Sequence, residues 1–441
     1  MSQQYKALQG FKDILPDEQA YWRLVEKVAV EVAETFGYRR IDTPTVEETS
    51  LYRRTSGEGT DVVEKEMYSF DDRPDKDGNS TNLTLRSEGT AGVVRAYLEH
   101  GMFQLAQPVK LYYLSVPIFR HDKPQAGRLR EHHQFGCEAL GGEDPAIDAE
   151  IVGLLYQVYT RLGLDAVRVR LNSIGDANCR PQYIETLKAY YQPLLEDCCQ
   201  DCQVRFARNP LRLLDCKEPR DQAKIAAAPR ISDHLCEPCQ EHFAAVQRFL
   251  RIYGVPFEHD SLIVRGLDYY TRTVFEFTPS DENTALSGGG RYDGLAEILG
   301  GTHTPGIGFG AGVERIILEL KKLSIKPAEE ARPRVFIVAF GKTEVYQDAT
   351  VRLVAELRQA GIRAEMSYGG RSSKAQMKQS NASGAAYALL LGEDELAGGF
   401  VTIKDLQASG MESERKQFQI RREELIDFLT SGKQPLEQGR I

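Results

Sequence analysis

The chain has 441 residues and a formal net charge of −9, with an ordinary globular composition. At about 150 residues per domain, that length allows roughly three domains and a sizeable core. The acidic balance argues against wholesale nucleic-acid wrapping. No apolar run reaches the ~18 residues of a membrane span, and Met1 to Lys6 carries no apolar signal core, so a cytoplasmic protein with no membrane association is expected.

After Pro16, apolar residues fall at Tyr21, Val25, Val28, Val32 and Phe36, which is helical spacing, and Gly37 stands where a C-cap belongs. A short strand from Tyr38 to Asp42 ends at Thr43-Pro44. Val109 to Phe119 and Gln134 to Leu140 read as strands joined by a loop with Pro124 and Gly127, which predicts an antiparallel pair. Leu262 to Phe277 and Ala285 to Tyr292 add strand material, and Val313 to Leu320 is a helix. Strands that follow one another without intervening helices argue against a doubly wound parallel sheet and for an α+β domain.

Residues 164–255 read as an insert between residues 1–163 and 256–326. It opens on the period-2 strand Val167 to Leu171 and then turns helical, charged and cysteine-bearing. Six of the eight cysteines lie between Cys198 and Cys239. Disulfides are not expected in a cytosolic chain. Cys199-x2-Cys202 and Cys236-x2-Cys239 have zinc-knuckle spacing, with Cys216 between them. Two readings stand: a structural Zn2+ at Cys199, Cys202, Cys236 and Cys239, or spare thiols in a helical insert.

Residues 327–333 look like a linker, and the pattern then changes. Strands at Val335 to Phe340, Ala364 to Tyr368, Ala386 to Leu391 and Gly399 to Lys404 alternate with helices at Glu344 to Ala360 and Ser373 to Ser383. This predicts a separate α/β domain over residues 334–431 with a mostly parallel sheet, and a frayed tail over 432–441.

Two segments place arginine within aromatic, β-rich sequence: Phe119-Arg120 through Arg130, and Val264-Arg265-Gly266-Leu267-Asp268-Tyr269-Tyr270. A planar guanidinium binds phosphate oxygens bidentately and stays charged, so the pair suits a phosphoryl clamp. Gly306-Ile307-Gly308-Phe309-Gly310-Ala311-Gly312 can be forced into a dinucleotide fingerprint, but the strand context is wrong for one. Alternating glycines in a strand instead let a flat ligand lie against the backbone, with Arg315 following on the next helix.

These segments resemble a known family. Phe119-Arg120 through Glu138 is similar to motif 2 of class II aminoacyl-tRNA synthetases, Gly308 through Arg315 to motif 3, and the helix ending near Pro44 to the dimer-forming motif 1. Leu85-Arg86-Ser87-Glu88-Gly89-Thr90, the Arg265 to Tyr270 box and Gly289-Gly290-Arg291-Tyr292-Asp293-Gly294 resemble signatures of the histidyl-tRNA synthetase family.

The resemblance implies a class II catalytic domain, a helical insert and a C-terminal anticodon-binding domain. It implies ligation of L-histidine to tRNA(His) through a histidyl-adenylate, with ATP and Mg2+, by a homodimer. Arg120 and Arg265 would be catalytic, holding carboxylate and α-phosphate from two sides. Glu88, Gly89, Thr90 and Gln134 would face the amino and carboxylate end of histidine, with Glu138, Tyr269 and Tyr270 facing the imidazole. Arg128, Arg315 and His132 would join the two catalytic arginines in holding ATP. Gln125 and Arg130 would touch the acceptor end of tRNA, and Arg371 and Lys374 the anticodon region.

Two departures from the family pattern stand out. His132 occupies the position, usually aromatic, where adenine stacks. Arg86-Ser87-Glu88-Gly89-Thr90 replaces the commoner Arg-Pro-Glu-Gly-Thr. The competing reading is a non-catalytic synthetase-like regulatory subunit of an ATP phosphoribosyltransferase. Such proteins typically lose the arginines and the anticodon domain.

Overall fold

The computed structural model describes residues 5–57, 65–124, 127, 129–264, 268–281, 284–327, 334–407 and 417–431. It forms two compact units, Met1–Pro327 and Ala328–Ile441.

In chain order the first unit opens with α1 (Gln19–Thr35), β1 (Arg39–Arg40), β2 (Val46–Glu48), α2 (Thr49–Ser56), β3 (Ser69–Asp71), β4 (Asn82–Leu85) and α3 (Thr90–Glu99). Next come β5 (Val109–Phe119), β6 (Glu131–Leu140), α4 (Pro145–Arg161) and β7 (Arg168–Ser173). The helices α5 (Arg180–Tyr191), α6 (Gln200–Arg208), α7 (Pro219–Ala227) and α8 (Glu237–Ile252) follow. The unit closes with β8 (Glu258–His259), β9 (Thr271–Thr278), β10 (Ser287–Arg291), α9 (Leu295–Ile298), β11 (Gly306–Gly312) and α10 (Val313–Lys322).

Eight of these strands make one sheet in the order β1-β5-β6-β11-β10-β9-β7-β8. Only the outermost pairings, β1 with β5 and β7 with β8, are parallel. The expected antiparallel hairpin of β5 and β6 is present, as is the α+β class. The strand expected to open the insert, β7, belongs to this sheet and pairs antiparallel with β9. The strand expected from Leu262 to Phe277 starts at Thr271 among the described residues.

One face of the sheet is core. Phe135, Cys137, Phe275, Phe277 and Phe309 pack under α1, α4 and α10. Helix α1 buries Trp22, Val25, Val28, Ala29, Val32 and Ala33 there, then stops at Gly37, whose φ of +80° a side-chain-bearing residue rarely adopts. Helix α4 starts where Asp144 Oδ1 accepts the Ala146 N–H at 2.8 Å, with Pro145 at the first helical position.

The second unit holds β12 (Arg334–Ala339), α11 (Glu344–Gln359), β13 (Arg363–Met366), α12 (Ser373–Ala382), β14 (Tyr387–Leu391), α13 (Glu393–Gly398), β15 (Phe400–Asp405), β16 (Gln417–Arg421) and α14 (Leu425–Ser431). Its sheet order is β13-β12-β14-β15-β16. The sheet is mixed rather than mostly parallel: β12 pairs parallel with β13 and β14, but β14–β15 and β15–β16 are antiparallel. The reason is local. A parallel crossover needs a dozen or more residues, and α13 spans only Glu393–Gly398.

Candidate active site

The other face of the large sheet is paved with glycine. On β6, His132, Gln134, Gly136 and Glu138 share a face, because side chains alternate along a strand. Register places Gly312 opposite Gln134, Gly310 opposite Gly136, and Gly308 opposite Glu138. Gly290 and Gly288 of β10 continue the row beside Gly308 and Gly310. The missing side chains leave room that neighbours use. A Cβ on Gly308 would strike the Glu138 carboxylate, and one on Gly136 would strike the Tyr113 ring.

One end of this floor is closed. Glu138 is fully buried, and its Oε1 accepts from Thr90 Oγ1 at 2.8 Å and from Tyr113 Oη at 3.4 Å. Its Oε2 accepts from Tyr292 Oη. Burial raises the Glu138 carboxyl to about 8, with the nearby Glu88 adding to the rise and the three hydroxyl donors only partly opposing it. The group therefore holds its proton near neutral pH while its partners supply acceptors and donors on all sides. Tyr269 and Tyr270 complete the wall. Their rings are 4.7 Å apart, and Tyr269 stands 5.7 Å from Tyr292.

Thr90 is the first residue of α3. Glu88, just before it, accepts the Thr90 and Ala91 N–H groups at 2.8 Å each and so caps the helix. Burial raises the Glu88 carboxyl; those two bonds and the charge of Arg120 work against the rise. Gly89 sits between them because a Cβ there would meet the Tyr113 ring. Arg86, almost wholly buried, donates to the Pro117 carbonyl at 3.1 Å and the Thr43 carbonyl at 3.0 Å, tying the segment before α3 to β5 and to the chain leaving β1.

The other end of the floor is more open and basic. Arg120 donates from Nε to the Ser87 carbonyl at 2.9 Å and lies 3.7 Å from Glu66. His132 lies on the floor side of β6, its Nδ1 3.3 Å from the Leu129 carbonyl. Burial, and then the charge of Arg120, lower its pKa to about 4, so the ring is neutral at physiological pH. Its neighbour His133 faces the opposite way, bound to Glu314 at 2.8 Å and edge-on to Trp22. Arg315 donates to the carbonyls of Gly127 and Ala285. Arg130 donates to the Asp122 carbonyl at 3.2 Å, inside the turn between β5 and β6. Arg265, Gln125 and Arg128 lie outside the described residues.

Residues 10–316 match the family model described as histidyl-tRNA synthetase, and residues 334–431 match that of an anticodon binding domain. The chain belongs to the histidyl-tRNA synthetase family. It is 47% identical over 408 residues to a histidine–tRNA ligase of Dehalococcoides mccartyi, covering 92% of this chain and 96% of that one. It is 49% identical over 405 residues to that of Moorella thermoacetica, covering 91% and 94%. Among solved structures, the apo S. aureus histidyl-tRNA synthetase matches with TM-score 0.78 at 35% identity, covering 97% of this chain and 100% of that one.

Three features of this histidyl-tRNA synthetase chain were not read from its sequence. Tyr113 and Tyr292 are the first. Both hold Glu138, yet Tyr113 stands in an aromatic strand that reads equally well as core, and Tyr292 in a glycine-rich run whose identity says nothing of its partner. Arg180, the second, donates to the Ile174, Gly175 and Tyr270 carbonyls at 3.1, 2.8 and 2.8 Å. It fastens the start of α5 to the tyrosine wall. The third is a buried network behind the floor. Asp148 on α4 accepts from Arg291 Nε at 3.2 Å and from His242 Nε2 of α8 at 2.8 Å, while Arg291 Nη1 donates to Asp293 at 3.0 Å. Burial alone would raise the Asp148 carboxyl, but Arg291 and His242 outweigh it and hold it low.

The expected four-thiol zinc set is corrected by the geometry. Cys199 and Cys202 lie with Cys216 and Asp221, whereas Cys236 and Cys239 lie with Cys179 and Asp176. The two Cys-x2-Cys pairs open different helices, α6 and α8, and each finds other partners.

In the second unit, Arg371 and Lys374 are exposed at the start of α12, where Ser372 Oγ accepts the Ala375 N–H at 3.4 Å. Lys378, a turn further on, is exposed as well. No helix among the described residues is long and apolar enough to cross a membrane.

Proposed function

We infer that this chain is a histidine–tRNA ligase. It joins the carboxylate of L-histidine to the α-phosphate of ATP, releasing pyrophosphate, and then passes the histidyl group to the 3′ end of tRNA(His). The observation that carries the reading is Glu138, a buried, protonated carboxyl at the closed end of a glycine floor. An imidazole needs both a donor and an acceptor at its two nitrogens. The Glu138 cluster offers both, inside walls of tyrosine that suit a planar ring.

The substrate carboxylate is the nucleophile, so no enzyme nucleophile is required. The protein's work is positioning and neutralising charge. Histidine enters with its ring toward Glu138, Tyr269 and Tyr270, and its amino and carboxylate end toward Glu88, Gly89, Thr90 and Gln134. ATP, arriving as its magnesium complex, lies along Gly310 and Gly312, with adenine on the neutral His132 ring and phosphates toward Arg120 and Arg315. Arg265 and Arg128 complete the charge set, and Arg120 with Arg265 flanks the reacting phosphorus. Exclusion of water from the closed end strengthens the contacts to the imidazole there.

The tRNA meets the turn between β5 and β6 through Gln125 and Arg130, and the second unit through Arg371 and Lys374. We assign residues 1–163 and 256–326 to catalysis, 164–255 to the insert apart from β7, which belongs to the catalytic sheet, 327–333 to the linker and 334–431 to anticodon binding. The same reading makes the protein a cytoplasmic homodimer. The anticodon-binding match and the presence of Arg120 and Arg315 favour it over a non-catalytic regulatory subunit.

Histidine-dependent ATP–pyrophosphate exchange, run with each of the twenty amino acids and no tRNA, tests the assignment. Exchange with histidine alone is expected. Absence of exchange with every amino acid would overturn it.

A further inference from the structure

The insert's cysteines take no part in the chemistry above, yet its core is built around them. Six of its buried residues are cysteine: Cys179, Cys198, Cys199, Cys202, Cys216 and Cys239. All eight cysteines of the chain are free thiols. We propose that the insert holds two separate structural Zn2+ ions, each in a tetrahedral set of three thiolates and one aspartate. One set is Asp176, Cys179, Cys236 and Cys239; the other is Cys199, Cys202, Cys216 and Asp221.

The first support is dimensional. Within each set the candidate ligand atoms all lie within 4.8 Å of one another. A zinc–sulfur bond of about 2.3 Å puts the sulfurs of a tetrahedron about 3.8 Å apart. Cys179 and Cys239 sulfurs are 3.9 Å apart, and those of Cys199 and Cys216 are 3.7 Å apart. The carboxylate oxygens fit the same edge. Asp176 Oδ1 is 3.7 Å from Cys179 Sγ and 3.8 Å from Cys236 Sγ, and Asp221 Oδ2 is 3.5 Å from Cys216 Sγ. A disulfide needs sulfurs about 2.05 Å apart, so these are not pairs about to bond.

The second support is electrostatic. In both sets the aspartate divides its oxygens. Asp176 turns Oδ1 to the thiols and Oδ2 to Arg272 at 3.2 Å. Asp221 turns Oδ2 to the thiols and Oδ1 to Lys224 at 3.1 Å. Three thiolates and a carboxylate around a divalent ion leave excess negative charge, and each set has its cation on the outer oxygen. That is how outer partners orient metal ligands.

The third support is in the backbone. N–H groups already point at the sulfurs: Cys202 N to Cys199 Sγ at 3.3 Å, Glu218 N to Cys216 Sγ at 3.4 Å, and Asp176 N to Cys179 Sγ at 3.4 Å. Such donors fix the positions of the sulfurs and complement the charge of metal-bound sulfur. Cys199 and Cys236 also stand at the N-caps of α6 and α8, where the helix favours negative charge.

Binding is an exchange of protons for metal. Each set takes up one Zn2+ and releases to solvent the protons its ligand groups carry. The soft thiolates select zinc over magnesium or calcium. The first ion would join the end of β7 to the starts of α5 and α8, beside Arg180 and the tyrosine wall. The second would join α6 to α7. Neither role depends on the assigned activity.

The test is elemental analysis of the full chain purified without added zinc. About two zinc ions per chain are expected, falling to about one in Cys216→Ser, about one in Cys239→Ser and near none in the double variant. A wild-type value near one or near zero would overturn the proposal. So would both single variants retaining two. Should either variant fail to fold, cobalt titration of the metal-stripped intact chain replaces them. Tetrahedral thiolate–cobalt absorption should saturate at about two ions per chain. Saturation at one, or an octahedral spectrum, would overturn it. Thiol counting in denaturant without reductant should return all eight cysteines; fewer would point to disulfides and against the metal sites.

Discussion

Gly308 of β11 stands directly opposite Glu138 of β6, and the carboxylate occupies the space that a Cβ on Gly308 would fill. The glycine is therefore part of the proposed histidine pocket although it offers no side chain to it. Gly308→Ala should push Glu138 off its hydroxyl partners. Overpacking of this kind costs about 1–3 kcal/mol. The KM for histidine should rise by about 5- to 150-fold, with the KM for ATP nearly unchanged. Equal changes in both would show that the substitution disturbs the sheet rather than the pocket.

Glu138 predicts a pH dependence. Its carboxyl is raised from 4.5 to about 8 in the folded protein, so the fold binds more protons than the unfolded chain between those values. Its contribution to stability is full below the unfolded value and is lost as pH rises through about 8. Denaturant midpoints of the free protein should fall across that window, and Glu138→Gln should flatten the fall. Histidine binding should follow the same proton. Between about pH 6.5, where free imidazole loses its proton, and pH 8, one proton lies between carboxyl and imidazole whichever group carries it. Above pH 8 that proton must be recruited, and affinity should drop about tenfold per pH unit. Glu138→Gln should lose that drop even if its affinity at pH 7 is lower.

His132 should act as a neutral plane. An aromatic stacking contact is worth about 0.5–1.5 kcal/mol. His132→Ala should therefore raise the KM for ATP by about 2- to 12-fold and leave that for histidine alone. His132→Phe should restore ATP binding. Failure of phenylalanine to rescue would mean that the ring contributes through its nitrogens.

Asp148 tests the support behind the floor. Asp148→Ala would strand Arg291 in a site where it is almost fully buried. Removing one member of a buried ion pair costs about 3–5 kcal/mol. Thermal unfolding should shift down by several degrees, while pyrophosphate exchange below the transition should persist. A variant of unchanged melting temperature would show that Asp293 alone satisfies Arg291.

Lys374 lies in the unit assigned to the anticodon. Lys374→Glu should raise the KM for tRNA and leave histidine activation intact. An unchanged KM for tRNA would remove Lys374 from the interface.

Much of this protein was legible in one dimension because local chemistry settles it. The period of α1 and its glycine stop, the hairpin of β5 and β6, and the change to alternating strands and helices after residue 333 follow from side-chain periodicity and turn residues. The signature segments likewise carry enough residue identity to place Glu88, Thr90, Gln134, Glu138 and the tyrosine pair in one site. Other features depend on which segments meet in space. Cross-strand register made Gly308 the partner of Glu138 and brought the Tyr113 and Tyr292 hydroxyls to its carboxyl. The packing of α4 and α8 behind the sheet created the Asp148, Arg291 and His242 network from residues far apart in the chain. The length of α13 made the C-terminal sheet mixed. The cysteines show the division most plainly. Spacing identified two metal-like pairs, but a tetrahedron needs ligands converging from different segments, and only the fold decided that each pair closes with a separate cysteine and aspartate.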